Sequence, residues 1–143
     1  MVIYFDSSVL LSLLLNDSRY SKAAQLWEQS TLRVSSILLQ AECLNVIRRT
    51  HRNAPKKFTK QWLLETESLL EQLLEECALR SIDTQIISVL QEEKNLAQCR
   101  TLDALHIATA KLFSFADREP LTIASFDIKM ANVARSVGFE VLR

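Results

Sequence analysis

The chain has 143 residues, 48% of them hydrophobic, with 17 Lys and Arg against 17 Asp and Glu. A length of this order suits one domain that buries roughly 70% of the surface its unfolded chain exposes, so a core forms without disulfide or metal staples. Zero formal net charge excludes a strongly basic body that holds nucleic acid by charge alone, and polyanion binding would have to rest on a local patch or a metal.

The apolar run Val2 to Phe5 reads as a short buried strand ending at Asp6. Ser7 to Leu15 reads as a helix broken near Asn16-Asp17-Ser18. Arg19 to Ser30 is a second, amphipathic helix with Ala23, Leu26 and Trp27 on one side. Leu32 to Ser35 is a weak short strand. Ile37 to Thr50 is predicted helical and stops near Asn53-Ala54-Pro55, because Pro55 disfavours helix at Ala54. Phe58 to Glu76 is a long helical pattern carrying Leu63, Leu64, Leu70, Leu73 and Leu74, and Ala78 to Ile82 is a third strand. Asp83 is placed as the N-cap of a helix reaching about Asn95. Thr101 is placed as the cap of the next helix, which runs to about Ser114 and whose Ala104, Ala108 and Ala110 permit close packing on a sheet. Leu121 to Ser125 is the fourth strand, Ile128 to Val137 a helix, and Gly138 its left-handed C′ residue. Phe139 to Leu142 makes a fifth strand. The alternation predicts a single α/β domain over residues 1–143, a central parallel sheet of about five strands wrapped by helices, with the strand order left open.

The one glycine, Gly138, excludes GxGxxG, P-loop and other glycine-cradled phosphate sites. Cys43, Cys77 and Cys99 are odd in number, widely spaced and embedded in apolar segments. With no CxxC or Cys/His zinc spacing, they read as buried reduced thiols of a cytoplasmic protein. The N-terminus lacks a basic n-region, and Val9 to Leu15 is too short to span a bilayer. The expectation is a soluble cytoplasmic chain with no membrane association.

Four acids stand out from this pattern. Asp6 and Asp127 each follow a strand and open a helix, Asp103 lies in the first turn of another helix, and Glu42 lies on a third. Each has an ordinary explanation. Asp6 is a good N-cap for the amides of Ser8 or Val9, and Asp127 caps its helix in the same way. Asp103 suits the helix dipole, and Glu42, on one face with Asn45 and Arg49, suits a solvated position. Taken together they suggest more. The carboxyl edge of a parallel sheet is where such folds build their sites, and neighbouring strands lie about 4.8 Å apart. Clustered carboxylates raise at least one pKa unless a cation compensates them. An all-oxygen set suits Mg²⁺ or Mn²⁺, whereas zinc favours His or Cys. Ser8 and Ser125, each two residues from an aspartate, suit the orienting of a carboxylate or a water, and suit capping equally. His106, one turn after Asp103, either packs its helix or touches the acids, and His51 reads as solvated in a basic loop.

The segments Val2 to Leu10 (VIYFDSSVL), Gln40-Ala41-Glu42, Thr101 to Ala110 (TLDALHIATA) and Ala124 to Leu142 (ASFDIKMANVARSVGFEVL) together resemble the PIN-domain nucleases. Within these, the resemblance is to the VapC-like toxins of bacterial toxin–antitoxin pairs. It spans nearly the whole chain, and its most specific segment is LDALHIATA. The family's four acids fall in order on Asp6, Glu42, Asp103 and Asp127, with its small hydroxyl residues on Ser8 and Ser125. The resemblance implies that the strands ending at Asp6 and Ser125 are neighbours. It implies hydrolysis of RNA phosphodiesters with Mg²⁺ or Mn²⁺ held by Asp6, Asp103 and Asp127, and Glu42 as a ligand or water-orienting group. It further implies a homodimer and a small cognate antitoxin. The leucine-rich faces of Ser7 to Leu15 and Phe58 to Glu76 are candidate partner surfaces that core packing explains equally well.

Substrate binding needs positive charge. Arg48, Arg49, Arg52, Lys56, Lys57 and Lys60 fall within thirteen residues that contain no acid, which reads either as an RNA-backbone track or as a solvated inter-helix loop. Other readings compete with the resemblance. A haloacid-dehalogenase-type phosphatase needs a second aspartate where Ser8 stands. A receiver domain would use Asp83 as its phosphate acceptor but needs an acidic neighbour for Asp6 and a later lysine. An RNA-processing PIN nuclease outside a toxin system, or a non-catalytic PIN-like module binding RNA or protein, remains open.

Overall fold

The strand formed by Val-Ile-Tyr-Phe is buried on both faces, and everything else is arranged around it. In the computed structural model, which describes residues 1–116 and 119–143, β1 (Val2–Phe5) is the central strand of a five-stranded sheet. β2 (Leu32–Ser36), β3 (Cys77–Arg80), β4 (Leu121–Ala124) and β5 (Val141–Leu142) complete it in the order β3-β2-β1-β4-β5. All four pairings are parallel, and the register sets Phe5 opposite Ala124 and Ala124 opposite Leu142.

Side chains alternate across a strand, so β1 feeds two separate cores. Ile3 and Phe5 join Val9, Leu10, Leu26, Leu39 and Ile47 from α1 (Ser7–Leu15), α2 (Tyr20–Gln29) and α3 (Leu38–Asn53). α4 (Lys60–Glu75) packs on the same side through Leu70. Val2 and Tyr4 face the opposite way, toward Ile86, Ile107, Ile123 and Met130. That face is covered by α5 (Thr84–Glu92), α6 (Thr101–Ala116) and α7 (Ile128–Ser136). Helices on both faces are what a nearly continuous apolar strand requires.

The predicted elements are present, with shifted ends that have local causes. α4 begins at Lys60 because the Thr59 hydroxyl accepts the Trp62 N–H at 3.1 Å. α5 stops at Glu92, short of Asn95, and a 3₁₀ turn over Lys94–Gln98 follows. Glu93 leaves the helical region there and its carboxylate pairs with Lys111 of α6, a tertiary contact with no local signature. Thr101 is the first residue of α6 rather than its cap. The fifth strand contracts to two residues. Gly138 has φ +99° with nothing within 4 Å of an added Cβ, so backbone conformation, not crowding, selects glycine.

The topology decides where a site forms. The chain runs outward from β1 through β2 to β3, then returns to the other side of β1 as β4. The order therefore reverses between β1 and β4, and the crevice beyond the carboxyl ends of those two strands is the switch point of the sheet. Asp6 and Asp127 stand there.

Candidate active site

Asp6 leaves β1 with its N–H still bonded to the Ala124 carbonyl at 3.1 Å. The residue is only 4% exposed, and burial of a charge demands partners. Oδ1 accepts the Ser7 N–H at 2.7 Å, while Oδ2 accepts the hydroxyls of Ser8 at 2.7 Å and Ser125 at 2.8 Å. The capping amide is thus that of Ser7, not of Ser8 or Val9, which leaves Oδ2 for the hydroxyls. Both hydroxyls are in turn acceptors. Ser8 Oγ takes the Phe126 N–H at 2.9 Å and Ser125 Oγ takes the Asp127 N–H at 3.1 Å. Each hydroxyl proton is thereby directed at Asp6.

Asp127 caps α7 as expected, Oδ1 accepting the Met130 N–H at 2.9 Å. Its Oδ2 lies 3.5 Å from Arg100 Nη2, and Arg100 Nε donates to Asp103 Oδ2 at 3.2 Å. A single exposed guanidinium spans two acids from different helices. Burial pushes the Asp103 carboxyl above its ordinary value; Arg100 opposes the shift, and the charges of Asp127 and Asp6 add to it. Three of the four acids therefore act on one another electrostatically.

Glu42, on α3, is half-buried rather than solvated. Its Oε1 is 2.5 Å from His106 Nε2, and its Oε2 accepts the Ser7 hydroxyl at 3.3 Å. His106 Nδ1 meets the Tyr4 hydroxyl at 2.7 Å. Both His106 and Tyr4 are completely buried. Burial lowers the His106 pKa, but the Glu42 hydrogen bond and the charges of Asp6, Glu42 and Asp103 outweigh it, and the net shift is upward from 6.5. His106 thus both packs α6 and touches one of the acids, Glu42. The Asp103–His106 spacing is the sequence signal for this. Tyr4 has none beyond its place on the α6-facing side of β1.

The acids offer only oxygen donors, the chemistry that suits Mg²⁺ or Mn²⁺. Zinc chemistry fits poorly, since both His106 nitrogens are engaged and burial holds the nearby Cys43 thiol well above its usual pKa. Among the described residues no group of three or more His, Cys, Asp or Glu side chains is placed so that it could hold a metal ion as it stands. The carboxylates are turned to Ser8, Ser125, Arg100 and His106 instead.

Of the basic cluster at the end of α3, Arg48 is committed to Glu67 of α4 at 2.8 Å. Arg49, Arg52, Lys56 and Lys57 are exposed and, among the described residues, have no ion pair. His51 is not simply solvated, because its Nδ1 lies 2.6 Å from the Phe58 carbonyl and closes the turn between α3 and α4.

Fold and site together define an α/β protein with a carboxylate centre at the switch point of its sheet. The PIN-domain family model matches residues 3–136, and the chain belongs to that family. Its fold is similar to that of a toxin-antitoxin complex from Klebsiella pneumoniae, at TM-score 0.62 and 18% identity over 99% of this chain and 96% of that one. It is also similar to VapBC2 from Rickettsia felis bound to a DNA fragment from their promoter, at TM-score 0.66 and 15% identity over 99% and 98%. Comparison with curated protein sequences gives no match.

Proposed function

We propose that the protein is a metal-dependent endoribonuclease that acts as the toxin of a toxin–antitoxin pair, with Asp6, Glu42, Asp103 and Asp127 as its catalytic acids. The observation that carries this reading is the convergence at the β1/β4 switch point. Asp6 is tied through the Ser125 hydroxyl to the backbone amide of Asp127, and Asp103 is joined to Asp127 through Arg100.

Asp6, Asp103 and Asp127 would hold Mg²⁺ or Mn²⁺. When bound, such an ion polarises the phosphodiester and activates water for in-line attack. The chain's own groups prepare that geometry. Ser8 and Ser125 fix the position of Asp6, each donating its hydroxyl to Oδ2. His106 fixes the Glu42 carboxylate by donating from Nε2, which leaves the remaining lone pairs of Glu42 to orient the attacking water. No side chain is required to bond covalently to the substrate.

Membership of the PIN family supports nuclease chemistry, and the fold likeness to two toxin–antitoxin complexes supports the toxin reading. A small antitoxin and a second copy of the chain are its proposed partners. Arg48, Arg49, Arg52, Lys56 and Lys57 are proposed to track the distal RNA backbone, with Arg48 reduced in weight by Glu67. A cytoplasmic site of action is proposed from the toxin reading; among the described residues no helix is long and apolar enough to cross a membrane.

The test is cleavage of total cellular RNA by wild type and Asp6→Asn, with and without Mg²⁺ or Mn²⁺, and with the ends mapped. Cleavage that ignores both metal and Asp6 would sink the assignment. A module that binds RNA without cutting is the second reading, favoured by the way Arg100 already compensates two of the acids. RNA binding with no metal-dependent cleavage selects it.

A further inference from the structure

Two arginines far apart in sequence converge on one backbone carbonyl beside the acids. Arg19 Nη1 donates to the Phe126 carbonyl at 3.1 Å, and Arg143 Nη2 reaches the same oxygen at 3.5 Å. The placement follows from the fold. Arg19 sits at the N-cap of α2, its backbone N–H held by Asp17 Oδ1 at 2.9 Å, and its guanidinium lies over the Phe126 ring at 5.2 Å. Arg143 follows β5, which is locked beside β4 by the bond from Ser125 N–H to the Leu142 carbonyl at 3.1 Å.

Among the described residues neither guanidinium has a carboxylate within ion-pair distance. The nearby Asp17 carboxylate accepts from the Arg19 backbone and the Ser12 hydroxyl instead. A carbonyl needs no charged donor, and two cations crowded on one neutral oxygen repel each other. Among the described residues each guanidinium makes one hydrogen bond, to Phe126, and its other N–H donors have the fork geometry that suits a phosphate. The peptide group they hold, between Phe126 and Asp127, presents its N–H to Ser125 Oγ and hence to Asp6. The two arginines are therefore one peptide group away from the acid network, on its far side.

We propose that Arg19 and Arg143 form a backbone-phosphate clamp for single-stranded RNA, gripping a phosphate that flanks the one to be cut. The proposal rests on the nuclease reading above. It differs from the α3 cluster in position and in preorganisation, because Arg19 is fixed by stacking and by its neighbour Asp17 before any ligand arrives. The Phe126 ring that Arg19 covers makes this grip a rigid one.

The experiment measures binding of a fluorescein-labelled single-stranded RNA of about ten nucleotides by anisotropy in EDTA, across a salt series. Metal-dependent cleavage by wild type is measured in parallel. Relative to wild type, R19Q/R143Q is expected to bind at least tenfold more weakly, with the salt slope reduced by about 1 to 1.5, at an unchanged melting temperature. Should the double variant melt early, R143Q alone, at an exposed strand end, is expected to lose at least threefold. Wild-type affinity and slope in R143Q, or in a folded double variant, overturn the clamp while leaving the nuclease reading intact. A wild type that cleaves RNA without binding it through these residues likewise overturns the clamp alone. A wild type that neither binds nor cleaves overturns both.

Discussion

His106 stands between Glu42 and Tyr4, with Nε2 at 2.5 Å from the carboxylate and Nδ1 at 2.7 Å from the phenol. All three are drawn from different elements, α6, α3 and β1, and the ring and phenol are sealed from solvent. One proton arrangement satisfies every group with a neutral ring, in which Nε2–H donates to Glu42 and the Tyr4 O–H donates to Nδ1. His106 is therefore a positioning residue for Glu42. His106→Phe is expected to lower kcat for RNA cleavage by roughly tenfold to a hundredfold, the usual effect of losing such an orienting partner, with KM little changed. His106→Gln, which keeps a donor, should recover part of the loss. A change confined to KM would contradict the assignment.

The same residue predicts a pH dependence of stability. The folded pKa of His106 lies above the unfolded 6.5, so its contribution is fully present below about 6.5 and is lost as pH rises through the folded pKa. In EDTA, the melting-temperature gap between wild type and His106→Gln should be widest near pH 6 and narrow toward alkaline pH. A gap that widens with pH would reverse the sign.

Ser125 donates to Asp6 and accepts from the Asp127 amide, so its removal strips two bonds from a buried site. Ser125→Ala is expected to cost about 1–3 kcal/mol in denaturant unfolding, the penalty for leaving buried polar groups without partners. It should also reduce metal-dependent cleavage. Asp6→Asn, which keeps shape and loses charge, should lower cleavage by at least about a hundredfold while the protein remains folded.

Arg100 compensates Asp103 and Asp127 from an exposed position, where it would compete with a metal ion for those oxygens in the proposed site. Arg100→Gln is expected to bind Mn²⁺ several-fold more tightly by titration calorimetry, and to show a larger Mn²⁺-induced rise in melting temperature. Equal affinity in both proteins would mean that the bridge does not compete.

The three thiols should differ in reactivity. Burial pushes Cys77 up to about 12 and Cys43 higher still, while Cys99 is raised and the least buried of the three. Alkylation by iodoacetamide at pH 8, followed by mass spectrometry, should label Cys99 first, because only the thiolate reacts.

The elements of the fold are legible in the sequence because their signals are local. A β-branched and aromatic run reads as β1, Pro55 stops α3, and Gly138 ends α7. Asp6, Asp103 and Asp127 are legible by position, as strand-end and helix-start residues, whereas Glu42 lies within α3 and is singled out by the family resemblance. The arrangement around them is not. That Glu42 is tied to a buried His106, that Arg100 spans two acids, and that Arg19 meets Arg143 at Phe126 all depend on contacts across 3 to 107 residues of sequence. Composition gives weight to the α3 cluster because its charges are adjacent in the chain, whereas Arg19 and Arg143 are adjacent only in space. The difference at Thr101 has a smaller cause, one residue of slack in where the helix begins.

Because Ser8 and Ser125 each hold Asp6 by one bond and the β4–α7 turn by another, the gap between Asp6 and Asp127 is inherited from the interstrand spacing. It is not adjustable by side-chain rotation alone. In the proposed metal site, an ion of another size would have to be accommodated by Asp103, which is carried in the first turn of α6. Tolerance among divalent ions would then be a property of where α6 sits on the sheet.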